Sequence, residues 1–463
     1  MGQQGMFLLN KLHWESSLFV PGGDVALTEP GSGVSLIIVK NVFYRIGGKR
    51  VIINTIKKTK PMLFFTFIFL LAFLGGCGTN QGQEKGSEKA AAVKEPIKIG
   101  LVDTYTGVLE SFAKKTEHGF MMGLDYATGG KNEINGRKIE VLKEDTETNP
   151  QVAKQKALKL LDEKKVHFLV GSTSSADTLA IQPLAEEYKK ILIVNQAIAP
   201  SITGSNWNRY TFRTARNSEQ DAITWAIVLG KPGTKIGILG EDYAMGREGV
   251  AVFKKKVEEM GAKVVYEEFA PSSTTDFTPY VQKMISAKPE YGTIYWAGAN
   301  TPFFKMAETL PKAGIKLTLG FLDIDQLKLY KDVTPAIGDC FGIYYYDFNK
   351  NQINEWFVKE YQKKYNIPPS YSAQCGFTSA QAIVEALKKT EGDVDPEKLI
   401  KAMEGMSFDT VKGKMTIRPE DHQTLQEMYI ARMERREGVD WAVPVLLETI
   451  SPEKCVPSIK NKR

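Results

Sequence analysis

The sequence predicts an α/β protein of two doubly wound lobes joined by three hinge crossings. Three observations carry this. From Ile97 onward, short β-rich apolar runs alternate with amphipathic helical stretches. The rhythm restarts at 234–240, where TKIGILG echoes IKIGLV at 97–102. Polar, hinge-like stretches interrupt it at 212–222, after Gly342, and at 410–421. Strand–helix alternation calls for a parallel sheet covered by helices on both faces. A restart fits two domains better than one oversized sheet.

In the first lobe, IKIGLV reads as a strand and SFAKKTEHGFMMGLDYA as a helix. KIEVLKED is a strand, and the helix NPQVAKQKALKLLDEK follows with Asn149 as its expected cap. VHFLVG, SADTLAIQPLAEEYKK and ILIVN continue as strand, helix and strand. In the second lobe, TKIGILG is followed by the helix GREGVAVFKKKVEEMG, then by the strands KVVYEEFA and GTIYWAG. Helices resume with INEWFVKEYQKKYN and CGFTSAQAIVEALKKT. The expected boundaries place 96–215 and 347–413 in lobe 1, 216–346 and 414–447 in lobe 2, and 448–463 in a C-terminal tail.

The N-terminal part has a different character. Lys57, Lys58 and Lys60 precede the apolar run Met62–Phe73, which ends in Leu74-Gly75-Gly76-Cys77. A basic segment, about a dozen apolar residues and a small-residue exit form a secretory signal, too short for a span of ~20 residues. The four residues ending in Cys77 resemble the lipobox of bacterial lipoproteins. That resemblance implies cleavage before Cys77, lipidation of its thiol and an anchor on the outer face of the membrane. Residues 57–76 are then the signal, and the polar stretch 77–95 is a flexible tether. Residues 1–56 show no sustained period and are expected to be a spurious or disordered leader, with the true start near Val51. Up to Gly76 there are eight Lys/Arg and three acids, so of the net charge of +6 only about +1 remains on the mature protein. Nothing in that balance points to nucleic acid.

An enzyme reading finds no support. His13, His118, His167 and His422 form no metal motif, and His167, inside an apolar strand, reads as a core imidazole. GSTSS lacks the closing glycine of a nucleophile elbow, and GGKNEINGRK has the wrong spacing for a phosphate loop. Cys340, Cys375 and Cys455 have no metal-ligand spacing; one disulfide is allowed, but buried thiols are expected. No catalytic residue, metal or cofactor is expected.

A binding cleft is better supported, because ligands of open α/β sheets sit beyond the strands' carboxyl ends. After VHFLVG, Ser174 and Ser175 open a helix whose N-terminus is an anion site; Ser174 and Asp177 also stand at capping-box spacing. After ILIVN come Gln196, Ala197 and Ile198, and after IKIGLV the aromatics Tyr105 and Phe112. The second lobe offers Asp242, Tyr243, Trp296, Asp323 and Asp325. An acid facing a serine-rich anion site suits a zwitterion such as a free amino acid.

The segments IKIGLVDTYTG, NGRKIEVLKEDTETNPQVA, FLVGSTSSADTLAIQPLAEE, YTFRTARNSEQ and GEDYAMGREG resemble periplasmic binding proteins of the leucine/isoleucine/valine-binding type, the solute receptors of ABC importers. The resemblance spans about 97–425. It implies two Rossmann-like lobes of the type I periplasmic binding protein fold, closing on a ligand and docking on a membrane permease, with a monomer expected. It places the ligand carboxylate at Ser175 with Ser174 beside it, backbone contacts at Gln196, and an aromatic wall at Phe112. Ile198 stands where the family has a threonine that helps bind the ammonium. Met245 replaces a tyrosine, with Tyr243 nearby, and the family's ammonium-pairing acid aligns near Leu322, one place before Asp323. The anion end of the site is kept and the ammonium end altered, so an amide, urea or aromatic acid stands as the alternative to a branched-chain amino acid, and a ligand-sensing module for a membrane signalling partner as the alternative to an import receptor.

Overall fold

The computed structural model describes residues 42–46, 49–53, 94–297, 301–320, 323–342 and 344–461. Strands β1 (Val42–Ile46) and β2 (Lys49–Ile53) pair antiparallel. The expectation of an unstructured leader is corrected at these residues. The runs VFYRI and KRVII carry β-branched and aromatic residues and flank Gly47-Gly48, a hairpin signature. The signal stretch 57–76, Cys77 and most of the tether lie outside the described residues.

The first lobe opens with β3 (Ile97–Asp103), in which every residue but Lys98 is buried, as a strand covered on both faces requires. Helix α1 (Glu110–Ala127), β4 (Glu133–Ile134) and β5 (Arg137–Asp145) follow. Next is α2 (Pro150–Asp162), capped by Asn149 Oδ1, which accepts from Gln151 N at 2.9 Å. Strand β6 (Phe168–Val170), α3 (Ser175–Glu187), β7 (Ile191–Val194) and β8 (Thr211–Arg213) complete this pass. The sheet order is β4-β5-β3-β6-β7-β8, parallel except for the β4–β5 pair.

The second lobe begins at α4 (Ser218–Leu229), capped by Asn217 and Gln220 in a reciprocal box. Strand β9 (Lys235–Glu241), α5 (Ala244–Glu259), β10 (Lys263–Ala270), α6 (Thr278–Ser286) and β11 (Tyr291–Tyr295) repeat the rhythm. Helix α7 (Phe303–Thr309), β12 (Lys316–Leu317), α8 (Ile324–Tyr330) and β13 (Asp339–Gly342) follow. The parallel order here is β10-β9-β11-β12.

The chain then returns. Helix α9 (Gln352–Tyr365) sets Trp356 against Tyr126 of α1, with centroids 4.8 Å apart. Helix α10 (Tyr371–Lys389) crosses α1 so closely that a Cβ on Gly119 would lie 1.7 Å from the Ala373 carbonyl oxygen. Any side chain there would force the helices apart. Helix α11 (Pro396–Met403) leads to the small antiparallel sheet β14 (Ser407–Thr410), β15 (Gly413–Ile417) and β16 (Thr424–Leu425). Finally β17 (Met428–Glu434) pairs with β13 and β18 (Val443–Ile450).

Two crossings fall where polar stretches interrupt the rhythm, at 214–217 and between Gly342 and α9. The third was expected near 410–421 and is instead at Gln426-Glu427, between β16 and β17. The polar, glycine-bearing stretch at 410–413 is a hairpin turn, with Gly413 at φ +85°. Likewise the expected boundaries at 413/414 and 447/448 fall inside or beside paired strands, β15 and β18. The first and third crossings are tied together: Gln426 Nε2 donates to Thr214 O at 3.3 Å, and nearby Gln423 Nε2 donates to Ala215 O at 2.8 Å. Cys340, Cys375 and Cys455 are free and buried.

Candidate functional site

A cavity of about 160 Å³ opens between the lobes where the strands' carboxyl ends face one another. Elsewhere, an apolar cavity of roughly 150 Å³ admits benzene, so this one suits a small molecule. Its first-lobe wall is built around the start of α3. Ser174 Oγ accepts from Asp177 N at 3.2 Å and caps the helix. That leaves the backbone donors of the first turn at Ser175 and Ala176 to serve a ligand. Thr173 and Ser175 line the cavity, as do Gln196 and Ile198 from the end of β7 and Phe112 from α1.

This wall is held from behind. Asp103, at the end of β3, accepts from Thr173 N at 2.6 Å, Thr104 N at 2.9 Å and Ser172 Oγ at 3.2 Å. Burial raises its pKa, while those bonds oppose the rise. Gln196 Oε1 accepts from Thr116 Oγ1 at 2.7 Å and Thr173 Oγ1 at 3.3 Å, and its Nε2 donates to Ser372 Oγ at 3.0 Å.

The second-lobe wall is less complete. Tyr243, Met245, Trp296 and Asp323 line it. Asp323 is 4% exposed and begins α8, its backbone N–H donating to Gln326 Oε1 at 3.2 Å. Its Oδ2 accepts from Ser372 Oγ at 3.2 Å and faces Lys115 Nζ at 3.3 Å. Its Oδ1, like Tyr295 OH and Trp296 Nε1, is buried with no hydrogen-bond partner among the described residues. Lys115 reaches from α1 to Asp323 and, at 2.7 Å, to Asp325, joining the lobes. Burial works against its ammonium, but the two carboxylates outweigh it and raise the pKa.

At the inner end, Arg216 and Asp221 form a buried ion pair, Nε to Oδ1, at 2.7 Å. Arg216 also bonds Tyr371 OH and lies over that ring. Burial disfavours its charge, but facing Asp221 raises its pKa overall. Trp225, held by Nε1 donating to Thr318 Oγ1 at 3.1 Å, completes the floor.

Of the candidates named from sequence, Ser174, Ala197 and Tyr105 do not line the cavity, nor do Asp242 and Asp325. Ser174 is committed to its cap. Ala197 is buried, its carbonyl turned to Arg213 Nη1 at 3.5 Å. Tyr105 sits in a turn held by Asp145 Oδ1, its N–H donating at 2.9 Å. Asp242 pairs with Arg247 at 2.5 Å. Arg216, Asp221, Tyr371, Trp225 and Tyr295 were missed. The first two lie in a stretch read only as hinge, and Tyr371 opens a helix far along the chain. His167 Nδ1 accepts from Lys98 N at 2.9 Å and is a satisfied strand-edge imidazole. Among the described residues, no group of His, Cys, Asp and Glu could hold a metal ion, and no helix is long and apolar enough to cross a membrane.

Two lobes on parallel sheets, crossed three times and enclosing a cavity at their strand ends, define a solute receptor. Residues 96–438 match the model of the periplasmic binding protein family, and the chain belongs to that family. It is similar to Leu/Ile/Val-binding protein homolog 6 of Brucella abortus (strain 2308), 24% identical over 362 residues, 75% of this chain and 90% of that protein. Among solved structures, it is similar to an ABC-type branched-chain amino acid transporter protein from Rhodopseudomonas palustris CGA009 (45% identity, TM-score 0.71, 79% of this chain and 100% of that one). It is also similar to a solute-binding protein of an ABC transporter from Rhodopseudomonas palustris BisB5, in complex with 3,4-dihydroxybenzoic acid (30% identity, TM-score 0.70, 77% and 98%). The protein is thus an extracytoplasmic solute-binding component of an ABC transporter, not an enzyme, and it binds a small molecule for delivery to a permease.

Proposed function

We propose that this receptor captures a small carboxylate, a branched-chain or related amino acid, as its zwitterion, closing its lobes on it and passing it to an ABC import permease. The observation that supports this reading is the pairing of opposite needs in one cavity. The start of α3 offers uncommitted donors to a carboxylate, and buried Asp323 Oδ1 offers an unpartnered acceptor to an ammonium. The names of the relatives agree with it. Asp323 thereby stands in for the ammonium partners that Ile198 and Leu322 replace. Phe112, Ile198, Tyr243 and Met245 would surround the side chain, and Ser175 and the Gln196 backbone the carboxylate.

A thermal-shift screen of the purified protein from residue 78 on tests this. A ligand at 100 times its Kd adds roughly 2.7 kcal/mol, a rise of several degrees at this size. A shift with leucine, isoleucine, valine or a near relative is expected; silence from every amino acid would sink the reading. A second reading, a receptor for an aromatic acid, draws on the aromatic walls and on the 3,4-dihydroxybenzoic acid in one relative. It predicts shifts with aromatic acids that lack an ammonium.

We further propose that Cys77 carries the lipid anchor and the receptor works as a monomer beside its permease. Membrane fractions should retain the full chain, and Cys77→Ala should release it. Retention of the variant would contradict the anchor.

A further inference from the structure

Tyr295 is the last residue of β11 and is 5% exposed. Its ring packs on Trp225 at 5.5 Å and Phe253 at 5.9 Å. A Cβ on Gly249 would lie 2.7 Å from its Cδ1, so the neighbouring helix is cut back to admit the ring. This fixes the ring, yet its hydroxyl has no partner among the described residues. A buried tyrosine hydroxyl normally finds one. Asp221 and Arg216 line the cavity with it.

We infer that Tyr295, with the Arg216–Asp221 pair, forms a polar subsite at the inner end of the cavity, which takes a hydroxyl at the far end of the ligand. This rests on the carboxylate-receptor reading and sharpens its ligand class. The charges select the group. A second carboxylate would face Asp221 and a second ammonium would face Arg216, while the pair already compensates itself. A neutral hydroxyl can accept from Tyr295 and donate to Asp221 without adding charge. A methyl in its place would leave the tyrosine hydroxyl buried and unpaired in the complex, the situation that sites built for hydrogen bonding reject most strongly.

Calorimetric titration of the purified protein with three pairs, valine and threonine, phenylalanine and tyrosine, benzoate and 4-hydroxybenzoate, tests this. In each pair that binds, the hydroxylated member should bind roughly tenfold to hundredfold more tightly. Tyr295→Phe should erase that preference and not lower the melting temperature of the unliganded protein. Equal or tighter binding of the apolar member would overturn the inference. So would a preference that survives Tyr295→Phe, or an unliganded variant that melts earlier, which would mean the hydroxyl has a structural partner. Absence of binding by all six, beside a melting shift from another amino acid that carries no hydroxyl, would overturn this inference and leave the carboxylate-receptor reading standing.

Discussion

The two walls of the cleft are built differently. On the first lobe, the residues that meet a ligand are bonded from behind: Thr173 by Asp103, and Gln196 by Thr116 and Ser372. On the second, the cavity-lining residues Asp323, Tyr295 and Trp296 each keep a buried polar atom without a partner among the described residues, whereas the first lobe's Asp177 Oδ1 and Asn195 Oδ1, also without one, belong to residues that do not line the cavity. A satisfied wall is preorganised and contributes to stability with or without ligand. An unsatisfied one carries a desolvation cost that a ligand can relieve. On the proposed reading, the first lobe is a preorganised half-site, and the second is the one a ligand would complete.

That contrast can be broken or sharpened by substitution. The largest effect should come from Asp323→Asn, which removes the charge facing a buried ammonium. Affinity for an amino acid should fall on the order of 100-fold or more in a calorimetric titration. Unliganded stability should fall by no more than about 1 kcal/mol, because Lys115 keeps Asp325 and the amide keeps an acceptor for Ser372 Oγ. A variant that loses unliganded stability would show that Asp323 belongs to the framework and blur the two walls into one.

Next is Asp177 in the first-lobe framework, whose carboxyl burial holds up at about 6. The folded state keeps this proton to higher pH than the unfolded chain does. The group therefore costs nothing below about pH 4 and costs stability increasingly as pH rises through 6. Asp177→Asn, which keeps an acceptor for Thr146 Oγ1, should be more stable than the parent by on the order of 2–3 kcal/mol at pH 8, and no more stable at pH 4. Thermal melts at the two pH values decide it; an equal difference at both would be contrary.

Asp103→Asn sets an amide against Asn195 Nδ2, which donates to Asp103 Oδ2 at 3.4 Å. It should cost about 1–3 kcal/mol in urea unfolding without ligand. That is the opposite pattern to Asp323→Asn; a loss of binding alone would put Asp103 on the wrong side of the comparison. The smallest effect belongs to Asp325→Asn, since Asp325 is half exposed in its pair with Lys115, which keeps Asp323 as a partner. Unliganded stability should change by less than about 1 kcal/mol, and a larger loss would make the lobes' own contacts, not the ligand, the main closing force.

The same asymmetry explains what the sequence made legible. Strand–helix alternation and caps such as Asn149 and Ser174 are local signals, the strand-end rule led to Ser175, Gln196, Ile198, Phe112, Tyr243, Trp296 and Asp323, and the family resemblance added Met245. Arg216, Asp221 and Tyr371 escaped because their meaning is an encounter between segments 155 residues apart, Arg216 Nη1 with Tyr371 OH. Tyr295 escaped because an aromatic ending an apolar strand reads as core, and only its orphaned hydroxyl says otherwise. The third crossing was misplaced because glycine and lysine in a polar stretch mark a hairpin as readily as a hinge.

That one cavity meets both charges of a zwitterion is the proposal on which the ligand class depends. It is tested most directly by titrating the purified protein with the amino acid giving the largest melting shift and with its deaminated counterpart. The account predicts that the amino acid binds on the order of 100-fold more tightly, and that Asp323→Asn removes most of that difference. Equal or tighter binding of the deaminated acid would contradict it.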